Sequence, residues 1–145
     1  MSRVINSNNP GSIRNASRRT IAEILRHMVA KRSLDAESRD MAAAIVLELE
    51  RMAETVETTC DAWEKRNYFL KADRFRLEWE WLRPAAARLR SAILAQAWEH
   101  VPLELAALLP RFGDISISKV TRSSEAWDGA LAQLLAASSE NSTTR

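Results

Sequence analysis

AESRDMAAAIVLELERMAETVETTCDAWEKR, residues Ala36 to Arg66, is the stretch that decides the fold. Met41, Ile45, Leu49, Met52, Val56, Cys60 and Trp63 recur at steps of four, four, three, four, four and three. An α-helix places such a series on one face, as a seam of the kind that packs against a second helix. No glycine or proline interrupts the run, and its alanines, leucines and glutamates are strong helix formers. Some thirty residues make a rod of roughly 45 Å. Glu50, Glu54, Glu57 and Asp61 lie opposite the seam and form an acidic stripe.

The partner of this rod follows at once. Asn67, a residue that tolerates the left-handed conformation after a helix, marks a tight turn at Arg66–Asn67. Beyond it, Tyr68, Ala72, Phe75, Trp79, Leu82, Ala86, Leu89, Ile93 and Ala97 keep the same kind of register. Pro84 falls inside that series, and proline in a helix interior removes a hydrogen bond and bends the rod. The spacing therefore predicts one kinked helix, or two nearly collinear ones, ending near Glu99.

Working outward, Ile21, Ile24, Leu25, Met28 and Val29 give a first amphipathic helix from about Ser17 to Arg32. Val101 to Arg111 reads as a short helix with Pro102 in its first turn. DISISKV, Asp114 to Val120, alternates apolar and polar residues and reads as an extended strap, since no second strand accompanies it. A last helix, capped by Ser123 or Ser124, buries Trp127, Leu131, Leu134 and Leu135. The expected fold is all-α: an up-down bundle of four to five helices, with two long antiparallel helices as its spine. Residues 1–15 read as a disordered arm, 16–138 as one domain and 139–145 as a loose tail.

Composition narrows the classes of function. With 145 residues, one domain is expected and the chain can bury its own core. Three glycines and four prolines are too few for a turn-rich β fold. No apolar run approaches the ~20 residues of a membrane span, so no membrane partner is expected. The single cysteine, Cys60, cannot close an internal disulfide, and the N-terminal segment lacks an apolar signal core. Both point to the cytoplasm. Net charge is only +2, but its distribution is uneven. Residues 1–32 carry seven basic side chains against Glu23 alone, and residues 33–62 carry eight acids against Arg39 and Arg51. The simplest expectation is that the first, basic helix lies beside the second, acidic one.

No catalytic or metal-ligand constellation stands out. The two histidines, His27 and His100, are far apart, and with one cysteine they supply no zinc site. A di-iron bundle needs paired Glu-x-x-His motifs, which the chain lacks. Glu54 and Glu57, or Glu37 with Asp40 and Glu125 with Asp128, match the carboxylate spacings of magnesium-dependent nucleotide hydrolases, spacings that arise by chance in acidic helices. No glycine-rich phosphate loop exists, and no cofactor or metal is expected.

The most distinctive stretch is AWEKRNYFLKADRFRLEWEWLRP, Ala62 to Pro84. Aromatic rings alternate there with Lys65, Arg66, Lys71, Arg74, Arg76 and Arg83. Cations that track phosphates and rings that stack on bases are what single-stranded nucleic-acid binding uses. Against this, Tyr68, Phe75 and Trp79 share the inward seam, leaving Phe69 and Trp81 off it. Large apolar side chains on more than one face favour a helix contacted from several sides, including by another subunit. The leading expectation is a non-enzymatic adaptor or accessory subunit, self-associating or bound to a protein partner. Its candidate contacts are Lys65, Arg66, Phe69, Lys71, Arg74, Arg76 and Trp81. The alternative is RNA or single-stranded DNA binding, in which Arg14, Arg18 and Arg19 join the same basic stretch.

Overall fold

A computed structural model of the chain describes residues 9–31 and 33–143. These residues form six α-helices: α1 (Pro10–Ala30), α2 (Ala36–Glu64), α3 (Phe69–Glu78), α4 (Leu82–Leu94), α5 (Val101–Phe112) and α6 (Ala130–Thr143). Short 3-10 turns at Trp98–His100 and Ser124–Ala126 precede α5 and α6, and no strand occurs among the described residues. The all-α bundle expected from periodicity is the observed fold.

The two longest helices, α1 and α2, form an antiparallel hairpin. Arg14, near the start of α1, donates to Thr55 Oγ1 in the second half of α2 (3.3 Å). The first helix begins earlier than its apolar series suggests. Asn9 accepts a hydrogen bond from the Ser12 amide (2.8 Å), and Pro10 occupies the first helical position, where its missing N–H is of no consequence. Residues 10–15, assigned from the sequence to a disordered arm, are therefore helical; the arm's residues 1–8 lie outside the described part. Arg32, expected in the last turn of this helix, lies outside it too. At the other end, α6 runs to Thr143, so most of the expected tail is helix and only residues 144–145 are undescribed.

Asp35 caps α2 by accepting from the Ser38 amide (2.8 Å), and Ser38 Oγ donates to Ser33 O (3.1 Å). Met41, Ala42, Ala43, Ala44, Ile45 and Val46 are six consecutive buried residues, which one helix seam cannot explain. The reason is that α2 is central: α1, α3, α4 and α6 all pack on it. The small Ala42–Ala44 side chains let neighbours approach on faces that a two-rod picture leaves open.

The chain returns along α2 as two helices, α3 and α4. Ion pairs set the antiparallel register: Arg76 faces Glu57 and Glu64, and Arg90 grips Glu50 with both oxygens at 2.9 Å. The break falls at Trp79–Trp81, ahead of Pro84. Pro84 is the third residue of α4, where backbone amides have no intrahelical acceptor in any case. Side chains two apart on a continuous helix point away from each other. The break instead brings the rings of Trp79 and Trp81 to 6.1 Å.

The strap reading of Asp114 to Val120 holds, and α1 supplies its seat. Arg18 grips Asp114 with two hydrogen bonds of 2.7 and 2.8 Å. Arg19 donates to the carbonyls of Ser116 and Lys119, and Arg26 to that of Ile117. Glu23, fully buried, closes the strap. Its carboxylate accepts from the amides of Thr121 (2.7 Å) and Arg122 (2.9 Å), from Thr121 Oγ1 (2.8 Å) and from Arg19 Nε (2.7 Å). Gly129, at φ +77°, then turns the chain into α6. Trp127 and Leu134 are buried there, whereas Leu135, expected inside, is exposed.

Candidate functional site at the corner of α2 and α3

Asn67 has φ +65°, the left-handed turn expected of it, and the Tyr68 amide reaches back to Trp63 O at 2.9 Å. This corner points an uninterrupted run of large apolar residues outward. Tyr68 is 50% exposed, Phe69 53% and Leu70 63%. Lys65, Arg66, Lys71 and Arg74 are exposed around them, and Asn67 to Lys71 line a shallow cleft with Arg74. Only Ala72 of α3 is buried. Tyr68, expected on the inward seam, thus belongs to the surface, and Leu70 joins it. The period-based reading missed both because it extended the helix across a turn that resets the register.

The other candidate residues are engaged within the molecule. Arg76 sits over the end of the acidic stripe, bonded to Glu64 and within 3.5 to 4.0 Å of Glu57, Asp73 and Asp61. The bond to Glu64, ahead of smaller Coulomb contributions, holds its guanidinium above the ordinary arginine range. Arg18 and Arg19 hold the strap. Trp81 packs edge-on to Phe112 (5.9 Å) with Arg111 over its ring at 4.9 Å.

Trp81 ends a ladder of half-buried rings. Trp63 meets Phe75 at 5.1 Å, Phe75 meets Trp79 at 6.2 Å, and Trp79 meets Trp81. Cations cover the ladder: Lys71 lies 4.5 Å from the Trp63 ring, and Arg14 lies 4.9 Å from Phe75 and 5.9 Å from Trp79. Burial of Arg14 lowers its pKa, and Glu78 partly offsets this. The alternation of basic and aromatic residues is in large part an intramolecular cation–π stack.

Charge follows the same pattern. The cations of α1 mostly serve the strap, and the acids of α2 are met largely by Arg76 and Arg90. The expected pairing of basic α1 with acidic α2 is not how these charges are balanced.

Cys60 is buried, its thiol pushed up by burial, and donates to Ala72 O at 3.5 Å. Its place is structural, tying α2 to α3. His27 stacks near Trp127 (5.3 Å), and Asp40 accepts from the Leu131 amide (3.0 Å). No cluster of three or more His, Cys, Asp or Glu side chains able to hold a metal occurs among the described residues. Among these residues, too, no helix is long and apolar enough to cross a membrane.

A second surface feature lies at the other end of α1. Leu25, Met28, Val29, Leu34, Pro102, Leu105, Ala106 and Leu109 line an apolar groove of about 520 Å³ between α1 and α5. The sequence signal for it is the leucine content of α5, which places leucines on more than the one buried face. No family model, curated protein or solved structure matches the chain.

Proposed function

We propose that the chain is a non-enzymatic, cytoplasmic helical-bundle adaptor or accessory subunit that self-associates and acts through protein–protein contacts. The observation that carries this reading is the corner of Tyr68, Phe69 and Leu70 ringed by Lys65, Arg66, Lys71 and Arg74. Aromatic anchors and arginine are the residue types that dominate binding energy at protein interfaces. The ring of cations selects a partner whose contact surface is acidic around an apolar centre.

The test is recovery of a partner from the native host with the wild-type chain and with a Phe69→Asp, Arg74→Glu double variant. Both substitutions are on exposed positions, so the bundle stays folded. A partner retained by the wild type and lost by the variant is the expected result. Equal retention by both overturns the corner as the contact, and recovery of no partner leaves the adaptor reading without its main support.

The exposed Tyr68 and Phe69 rings also favour a second reading, binding of single-stranded nucleic acid. It has less electrostatic support than the sequence offers, because Arg18 and Arg19 are engaged with the strap. If the four corner cations each met a phosphate, affinity for single-stranded RNA would fall roughly 50-fold between 50 and 200 mM salt. A polarisation titration with no binding at low salt removes this reading.

A further inference from the structure

Helix α5 is apolar on faces that the bundle does not cover. Of its twelve residues only Glu104 and Arg111 are charged. Val101, Leu105, Leu108 and Phe112 are buried, while Pro102, Leu103, Ala106, Ala107, Leu109 and Pro110 are exposed. Leu103 is 72% exposed, and Val29, across the groove on α1, is 69% exposed. An outward face of this kind has a cost in water unless something covers it.

The charges around the face say what covers it. Glu104 is held by Arg88 (3.1 Å), Lys31 by Asp35 (3.0 Å) and Glu37 (2.6 Å), and Arg111 lies over the Trp81 ring. None of the four groups adds an uncompensated charge to the apolar patch. Two identical copies therefore meet here without like-charge repulsion. The α2–α3 corner is the opposite case: a two-fold contact there would set four cations against four. A foreign partner needs polar anchors to fix its orientation, and this face offers none. A second copy needs none, because two-fold symmetry repeats every contact. Homodimer interfaces are also the more apolar class.

We propose that α5 seats a two-fold homodimer of this chain. The α5 helices of the two copies cross at Ala106 and Ala107, whose small side chains allow close approach. Leu103 and Leu109 of each copy flank the crossing and cover the neighbouring α1–α5 groove. This contact deepens the self-association in the reading above and is independent of the corner.

Light scattering and sedimentation of the full chain test it. The wild type should show a concentration-dependent dimer. Leu103→Glu places two carboxylates near the symmetry axis and should halve the mass while leaving helicity and the thermal transition in place. A Lys71→Glu, Arg74→Glu variant should remain dimeric even where it loses an acidic partner, which separates failure of the corner from failure of this contact. As an independent readout, Ala106→Cys should form an intersubunit disulfide under mild oxidation, since Cys60 is buried and does not compete. A wild-type chain that stays monomeric, whatever apolar ligand its groove takes up, overturns the proposal. So does a dimer that persists in Leu103→Glu, or an Ala106→Cys chain that fails to cross-link.

Discussion

Glu23 shows how one side chain can decide where a long segment lies. Burial alone would raise its pKa, but the Arg122 amide, Arg19 and both donors of Thr121 outweigh burial and lower it from 4.5 to about 2. A carboxylate whose folded pKa is depressed stabilises the fold fully above its unfolded value of about 4.5. That contribution is lost as pH falls from there through about 2. Glu23→Gln keeps the shape and removes the charge, and should cost about 2 kcal/mol at neutral pH, in line with hydrogen bonds to charged groups. Urea titrations at pH 7 and pH 3 check both statements. The variant's deficit should shrink at the lower pH. A deficit of equal size at both would mean that the carboxylate's charge is not what holds the strap. None of this was legible in the sequence. Glu23 was visible there as the only acid in a basic segment, but its partners are about a hundred residues away.

At the scale of the element, the break between α3 and α4 separates local from tertiary causes. Periodicity located the seam from Ala72 to Ile93 and left Pro84 as the suspect. The structure assigns the break to aromatic packing: Trp79 and Trp81 reach a common neighbourhood only if the helix stops between them. Pro84 in the first turn of α4 is then compatible with the helix rather than its breaker. Pro84→Ala should change stability by less than about 1 kcal/mol, as exposed substitutions without a lost contact do. Far-UV circular dichroism should show no gain in helix. A clear rise, as from a continuous helix spanning both segments, would restore Pro84 as the cause. The turn at Asn67 was legible because its signal is local. The position of Tyr68 was not, because the turn changes which face the following residues occupy. The same limit applies to α2, whose seam was plain while its burial on further faces depends on α6, more than sixty residues downstream.

For the whole molecule, the arrangement sets a gradient of stability that can be measured. Helix α2 is covered by four others and contributes thirteen buried residues, whereas α3 contributes only Ala72. Local opening is cheapest where little apolar surface is exposed by it. Amides of α3 should therefore exchange with solvent first, through opening that leaves the rest of the bundle intact. Those in the middle of α2, from Met41 to Met52, should exchange only on global unfolding. The strap is the informative intermediate case: it has few apolar contacts, yet Glu23 accepts the Thr121 and Arg122 amides directly. These two amides should be protected well beyond their neighbours, and Glu23→Gln should bring them down to the level of the surrounding strap without affecting α2. The corner that carries the candidate contact surface thus rests on the helix that opens most readily. A partner binding there would be expected to slow exchange along all of α3, a larger footprint than its direct contacts. Exchange in α3 as slow as in α2 would mean that the cation–π ladder, rather than burial of aliphatic side chains, governs the stability of this end of the bundle.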